Sequence, residues 1–566
     1  MSDQILPQTT AGINPEKFSD NFFPNRKLLI ALLFLCLVAG FALRVSNLGA
    51  ESLSEDELNK LETVADYRAN GLSGRNGEHP FLMKGLQTVS IIASEKLNDA
   101  IFSASPNRRI SEESALRFPT VLFGTFTALL IFLVISELFG TSIGLLAAAL
   151  WSVDPNAVGF DRVAKEDSFL LFFFLLMSFF WIRSQTKAQR GGDSNWTLYA
   201  WLAAASFGGL MASKYLPHLL GVPAAYHKIF HRLSDNNWTF DRYAWLKFFI
   251  IAGICFLILN PTILLPETWR EMLTFSAEKR IGHDSYEFMG ELYRNRITLW
   301  LYGVPWTFYY VFILVKTPIL TLISFLAGLL LIFRRKMGDG RFFILIWILM
   351  WFLPFTFLGG KFMRYFTVAQ PLVLIIAAVG CYFAGRWTAE KLFSDSKFRA
   401  VFSWGLPLIL VIASFIASLT AAPHFRLFTN TPGGGTSSAG FYFPHDEFYD
   451  AATRETIDAI IAQNPRQGAV IASETPGLFE HYIKKSARPD LISVSLSDDG
   501  KAVNLSAGDY VAAARGRRYF SNDAVLKYLK SSLAPVAEVN FGSINAVTIY
   551  RLDGASAEKI HESARQ

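Results

Sequence analysis

Asp56 and Glu57 are adjacent acids just past the first long apolar segment, residues 28–43. Glu78-His79-Pro80 follows in the same polar stretch, with Lys84 one helical turn beyond. Carboxylates held beside cations at a membrane surface suit one chemistry well. A carboxylate takes the proton from an acceptor while cations offset the charge on a departing phosphate. Similar residues recur downstream as Arg117, Arg162 with Asp167, Lys214, His283, and Lys361 with Arg364. Each also has a plainer reading. Ser54 with Glu57 three residues later matches a helix capping box. Arg162 and Asp167 read as juxtamembrane anchors, and Lys214, Lys361 and Arg364 as snorkelling cations. His79 reads as a structural hydrogen-bonder, with no HExxH pattern to make it a metal ligand. The clusters point to chemistry only if they meet.

Composition says what carries them. The chain has 566 residues, 52% of them hydrophobic and 15% aromatic, and only 18% charged, with a mean hydropathy of +0.30. Soluble chains carry about 25% charge, so this one reads as a polytopic membrane protein. Its apolar runs have the length that helices need to cross a bilayer. The net charge of +6 gives no case for nucleic acid, because cytoplasmic membrane loops routinely hold excess Lys and Arg. Cys36, Cys255 and Cys381 all lie in apolar segments, where thiols behave as small hydrophobes. No disulfide framework or CxxC pattern appears.

Lys/Arg asymmetry orients the spans. Arg26 and Lys27 place the arm 1–27 in the cytoplasm as an uncleaved anchor, so the span 28–43 delivers Asp56 to the outer face. Residues 80–102, interrupted by Lys84, Glu95, Lys96 and Asp99, suit an interfacial helix better than a span. Further spans are expected at 116–136, 142–158, 168–184, 197–213, 215–230, 245–264, 318–333, 342–358, 366–384 and 401–420. That makes about 11 in all, within a range of about 10–13. The loop 266–298 is long and polar, and 299–315 reads as an aromatic segment dipping into the outer interface. Under this topology the basic loops carrying Arg183, Lys187, Arg190 and Arg334-Arg335-Lys336 fall inside. The candidate residues all fall at the opposite face. Lys214 and the Lys361/Arg364 pair are cationic tips that run against the positive-inside tendency.

Residues 422–445 contain Pro432-Gly433-Gly434-Gly435 and read as a linker. Residues 446–566 alternate helices and strands, which implies a soluble α/β domain, accessory and outside the membrane. It has no phosphate-binding GxGxxG or P-loop motif.

In order along the chain come Asp56-Glu57, then His79-Pro80-Phe81-Leu82-Met83-Lys84, then Arg117 with Gly124, then Arg162 with Asp167. This order resembles the phospholipid-carrier-dependent glycosyltransferases of the GT-C fold, protein O-mannosyltransferase-like. That family reads acidic pair, His-Pro-Pro-Leu-x-Lys, Arg…Gly and Arg-x4-Asp. Ser213-Lys214-Tyr215 resembles its Lys-aromatic tip. Gly282-His283, Gly290 and Lys316-Thr317-Pro318 resemble the long outer loop and following span of bacterial members. Lys361-Phe362-Met363-Arg364-Tyr365 resembles a motif of lipid A aminoarabinose transferases. Phe81 replaces the second proline, and Met83 stands where glycine is usual. Both departures concern the acceptor more than the reaction, as does the lack of an evident Ser/Thr-peptide-binding module.

The resemblance implies a GT-C catalytic domain over residues 28–421, with a first outer loop at 44–115 and a periplasmic accessory domain at 446–566. It implies an inverting glycosyltransferase of a bacterial inner membrane. Such an enzyme moves a hexosyl or pentosyl group from a polyprenyl-phosphate carrier to a hydroxyl or phosphate of a lipid or protein acceptor, in cell-envelope or protein glycosylation. It implies Asp56 as general base, with Glu57 and Asp167 beside it. Lys84, Arg117, Arg162, Lys214, Lys361 and Arg364 would serve the carrier phosphate, and His79 and His283 the acceptor or sugar. No cofactor follows from the sequence; an acid pair is compatible with a divalent cation, and nothing in the spacing decides it. The rival readings are a transporter, which should carry acids at mid-membrane depth, and a non-catalytic subunit of an envelope glycan assembly complex.

Overall fold

The computed structural model describes residues 26–103, 105, 108–189, 195–233, 240–278, 283–497 and 505–563. Most of the expected N-terminal arm (1–25), Arg190 and Gly282 lie outside the described residues. Among the described residues six helices are long and apolar enough to cross a membrane: Arg26–Val45, Glu112–Phe139, Glu166–Ala188, Arg242–Leu259, Gly340–Phe357 and Gln370–Leu392. Two further apolar helices, Thr141–Val153 and Pro155–Asp161, meet at 62° across a break at Asp154. Ile319–Ile332 and Gly405–Ala421 are shorter apolar helices, and Trp196–Ser213 and Gly221–Leu233 complete the bundle. Phe81–Ala100 is helical but is not among the helices apolar enough to cross. The chain is a multi-pass α-helical membrane protein with a C-terminal β-sheet region.

Two local features position the site. The first is the break at Asp154-Pro155. Proline has no N–H for the helix ladder but suits the first position of a new helix. Asp154 caps that helix by accepting the Ala157 N–H at 2.9 Å. The short helix Pro155–Asp161 then turns the chain so that Asp161 meets Arg44 at 2.9 Å, a fully buried pair. Gly124 is required opposite them, because a Cβ there would collide with the Asp161 carboxylate. The second is close helix packing. Gly328 and Gly380 bring Ile319–Ile332 and Gln370–Leu392 into backbone contact, as small residues do between membrane helices. The Lys361–Arg364 segment leads directly into that second helix.

The expected polar loop 266–298 holds a helix, Pro266–Glu278, and a hairpin of β1 (Ser285–Phe288) and β2 (Glu291–Arg294). Its two-residue turn, Met289-Gly290, has φ of 53° and 83°, the left-handed pair that a tight hairpin requires. The aromatic segment that follows leaves Trp300, Tyr302 and Trp306 exposed. Residues 422–445 form three short 3-10 turns. Lys316 ties this stretch to the bundle by donating to the Arg426 carbonyl at 3.0 Å and the Phe428 carbonyl at 2.8 Å, and by pairing with Glu447.

Beyond it lies a five-stranded sheet of β3 (Val470–Ser473), β4 (Ile492–Ser495), β5 (Tyr510–Ala514), β6 (Ala537–Phe541) and β7 (Ile544–Arg551), ordered β4-β3-β5-β7-β6. β3 is parallel to both its neighbours, while β7 is antiparallel to β5 and β6. The core beneath one part of the sheet is shared with the first loop. Leu53, Leu58 and Leu61 pack in the same cluster as Ile457, Leu478 and Ile549.

Candidate active site

The helix Glu55–Asn70 starts with a complete capping box. Ser54 Oγ accepts the Glu57 N–H at 3.3 Å, and Glu57 Oε2 accepts the Ser54 N–H at 3.0 Å. Glu57 does more than cap. Arg117 reaches it with two bonds, Nε–Oε1 at 2.8 Å and Nη2–Oε2 at 2.7 Å. Ala164 N–H reaches Oε1 at 2.9 Å. The remaining Arg117 donors take the carbonyls of Leu48, Glu51 and Ser52. One buried bidentate pair thereby fastens the first-loop helix to the helix Glu112–Phe139 and to the 162–166 turn.

Successive helical residues point about 100° apart, so fixing Glu57 inward turns Asp56 elsewhere. Lys165 and the Tyr449 hydroxyl bond to the Asp56 carboxylate and Arg364 lies 3.5 Å away, and these three neighbours line a cleft. Burial alone raises a carboxyl, but Lys165 and Arg364 hold Asp56 well below the ordinary carboxylate range. Burial also lowers the Lys165 ammonium, opposed by Asp56. The cleft is lined by Lys165, Asp167, Arg364, Arg426, Asp446 and Tyr449, among others. Asp167 starts the helix Glu166–Gln189 and pairs with Lys214 at 2.8 Å. Lys214 sits 5.3 Å over the Tyr365 ring. Arg364 stacks 4.2 Å from the Phe362 centroid and donates to Tyr449 at 3.3 Å.

Below the cleft, Glu166 joins Lys60 at 2.8 Å and His79 at 3.2 Å. Burial, outweighing the pull of Glu166, keeps His79 well below its ordinary pKa and so neutral. Lys84 donates to the Asn76 carbonyl at 2.7 Å, and burial brings its ammonium down to about 7.

The structure therefore divides the residues singled out by sequence. Asp56, Asp167, Lys214 and Arg364 come together around the cleft. His79 adjoins them through Glu166, and His283 through Glu55, at 3.4 Å. The others have structural partners. Arg162 closes the end of the first helix by donating to the carbonyls of Leu43, Arg44, Ser46 and Asn47, the acceptors that a helix C-terminus leaves open. Lys361 donates to the Val304 carbonyl at 2.8 Å and to that of Leu358. Glu57 and Arg117 are saturated as described, and Lys84 donates to the carbonyls of Asn76 and, at 3.3 Å, Arg75.

Sequence reasoning did not single out Lys165, Arg426, Asp446 and Tyr449. Lys165 had a signal, since it lies inside the Arg162…Asp167 motif. Among the described residues no three His, Cys, Asp or Glu side chains converge as a metal site. Asp56 and Asp167 are each held by a lysine, Lys165 and Lys214 respectively.

Compared with solved structures, the chain superposes on ArnT from Cupriavidus metallidurans in the apo state with a TM-score of 0.50. The match covers 93% of this chain and 97% of that one, at 12% identity. It superposes on the Archaeoglobus fulgidus oligosaccharyltransferase tethered to an acceptor peptide with a TM-score of 0.51, over 87% and 70% of the two chains, also at 12% identity. The fold is that of the GT-C glycosyltransferases. By sequence, residues 109–260 match the family of dolichyl-phosphate-mannose-protein mannosyltransferases, so this GT-C chain is mannosyltransferase-like. That segment contains Arg117, Arg162, Lys165, Asp167 and Lys214; Asp56 and Arg364 lie outside it. No curated protein matches the GT-C chain by sequence.

Proposed function

We propose that the protein transfers a sugar from a polyprenyl-phosphate carrier to an acceptor hydroxyl or phosphate, with inversion. Asp56 serves as the general base. The observation that carries this reading is the setting of Asp56. It is a part-exposed carboxylate held by Lys165 and Arg364, two cations that line the adjoining cleft, with Lys214 beyond them.

In the proposed step an acceptor oxygen attacks the anomeric carbon from the face opposite the phosphate. The new C–O bond forms as the bond to the phosphate oxygen breaks, and the acceptor proton passes to Asp56. The polyprenyl phosphate leaves with the electron pair, and its charge is offset by Arg364, Lys165 and Lys214. A phosphate needs little protonation to depart, so no separate acid is required. Cations drawn toward a bound phosphate relax their hold on Asp56. Its carboxylate thereby becomes more basic when the donor is in place, as an attacking hydroxyl needs.

The Lys/Arg asymmetry supports placing this face, with the C-terminal domain, outside the cytoplasm of a bacterial inner membrane. The domain boundaries that serve this reading are 28–421 for catalysis and 446–566 for the accessory part. Purified protein incubated with mannosyl- and aminoarabinosyl-type carrier lipids tests the proposal. Mass spectrometry should detect released polyprenyl phosphate with the wild type and little with Asp56→Asn. Equal release from both removes Asp56 from the mechanism.

A further inference from the structure

Arg517 meets the start of the helix Glu55–Asn70 from 462 positions away. It follows β5 by three residues. Its backbone is fixed by the buried Asn522 side chain, which donates to the Arg517 carbonyl and accepts the Tyr519 N–H, both at 2.8 Å. Gly516 lets the strand end come this close. It has a φ of 86°, and a Cβ there would lie 2.4 Å from the Pro444 carbonyl oxygen. The short helix that begins at that proline, Pro444–Phe448, ends on Tyr449.

Tyr449 and Asp450 have φ of 46° and 62°, both left-handed and neither a glycine. Such residues are uncommon, bulky ones most of all, and two in succession persist only where their surroundings hold them. The hold is on Asp450. Arg517 Nε donates to its Oδ1 at 2.6 Å and Nη2 donates to Oδ2, a bidentate pair whose side chains are 6% and 1% exposed. Oδ2 also accepts the Glu55 N–H at 3.2 Å, one of the donors that a helix start leaves open. Asp450 therefore joins the helix carrying Asp56 to the turn carrying Tyr449, one residue from each. The third nitrogen, Nη1, reaches Glu55 Oε2 at 3.2 Å, the His283 ring at 2.8 Å and the Tyr519 hydroxyl at 2.9 Å. Every Arg517 nitrogen is engaged, so its part is to hold the site and not to bind substrate.

We propose that Arg517 is a positioning residue for the transfer reaction: by clasping Asp450 it keeps the Tyr449 hydroxyl on Asp56. The inference rests on the transferase reading above, and it makes the C-terminal region part of the catalytic unit. Arg364 and Arg426 also contact Tyr449, but both act on its side chain, whereas Arg517 fixes the turn from which that side chain springs.

The test reads Asp56 itself. Acid-induced infrared difference spectra of the full-length protein in nanodiscs, without carrier lipid, follow the carboxyl band that Asp56→Asn removes. The charged and titratable groups acting on Asp56 are Lys165, Arg364, Tyr449, Glu55, His79 and Tyr365, and Arg517→Lys alters none of them. It also keeps its own charge, but an ammonium cannot make the two-pronged bond to Asp450. The Asp56 midpoint should rise by about half a pH unit or more, the worth of one hydrogen bond to the charged form, as it does in Tyr449→Phe. The double variant should rise no further than Tyr449→Phe alone, which a merely structural arginine would not produce. Release of polyprenyl phosphate should fall in step. An unmoved midpoint in either folded single variant, shifts that add in full, or release at the wild-type rate despite a displaced midpoint overturns the proposal. Thermal melting checks folding. Should Arg517→Lys fail to fold, Asp450→Asn replaces it in the same cycle, asparagine being tolerated at this φ. The lost charge then acts equally with and without the Tyr449 hydroxyl, so an effect that differs between the two backgrounds upholds the clasp and an equal one overturns it. The expected cycle of shifts, with no polyprenyl phosphate released by the wild type, upholds the clasp on Asp56 and overturns the transferase reading instead.

Discussion

Asp56 and Glu57 share a helical turn, a charge and a chemical type, yet the structure gives them opposite surroundings. The Glu57 side chain is 1% exposed and is saturated by Arg117, Ala164 and its own cap. The Asp56 side chain is 34% exposed, and two of its neighbours are cations that line the cleft. A buried carboxylate with every lone pair matched to a structural donor holds parts together. One whose donors face a cavity is able to exchange them for a substrate. Neighbours in sequence therefore differ in function because of where their partners lead, not because of their own chemistry.

The largest effect expected from this contrast is on rate. Asp56→Asn should lose about 10²–10⁴-fold in turnover, the usual worth of a positioned base, with an unchanged melting temperature. Glu57→Gln should do the reverse. It leaves the Arg117 guanidinium buried beside a neutral partner, and breaking such a pair costs about 3–5 kcal/mol, visible as a large drop in Tm. A Glu57→Gln protein that melts normally but fails to turn over would erase the distinction. Next in size is Lys214→Met. Removing one charge-assisted contact from the carrier phosphate should lower kcat/KM about tenfold or more while the fold persists.

The same contrast shows what the sequence could reveal. The apolar runs and the α/β alternation after residue 446 were legible, because backbone hydrogen bonding and burial impose short-range periods; the break that Pro155 makes inside the expected span 142–158 was not. The convergence of Asp56, Asp167, Lys214 and Arg364 was legible as residues that topology brings to one face. The division between Asp56 and Glu57 was not, since it depends on Arg117 reaching back 60 positions. Nor was the role of Tyr449, which meets Asp56 from 393 positions away in a segment whose composition reads only as the start of a soluble domain. Arg162 and Lys361 looked like phosphate ligands because any cation at that face does. The carbonyls to which they donate are not visible in the sequence.

The finest test concerns the grip on Asp56. A carboxyl whose folded pKa is depressed keeps its charge above that value and loses it as pH falls through it. The Asp56 carboxyl lies well below 3.8 with Lys165, Arg364 and Tyr449 beside it, so the acid limb of wild-type kcat/KM should fall below that pH. Tyr449→Phe removes one donor to the charged form while leaving both cations. The acid limb should then move upward, toward the ordinary carboxylate range. Glu57 has no such donor at the cleft, so Tyr449→Phe should leave the Tm set by the Arg117 pair where it was. An acid limb that stays put, or that moves downward, would mean that the Tyr449 hydroxyl is not among the groups holding Asp56 in its charged form.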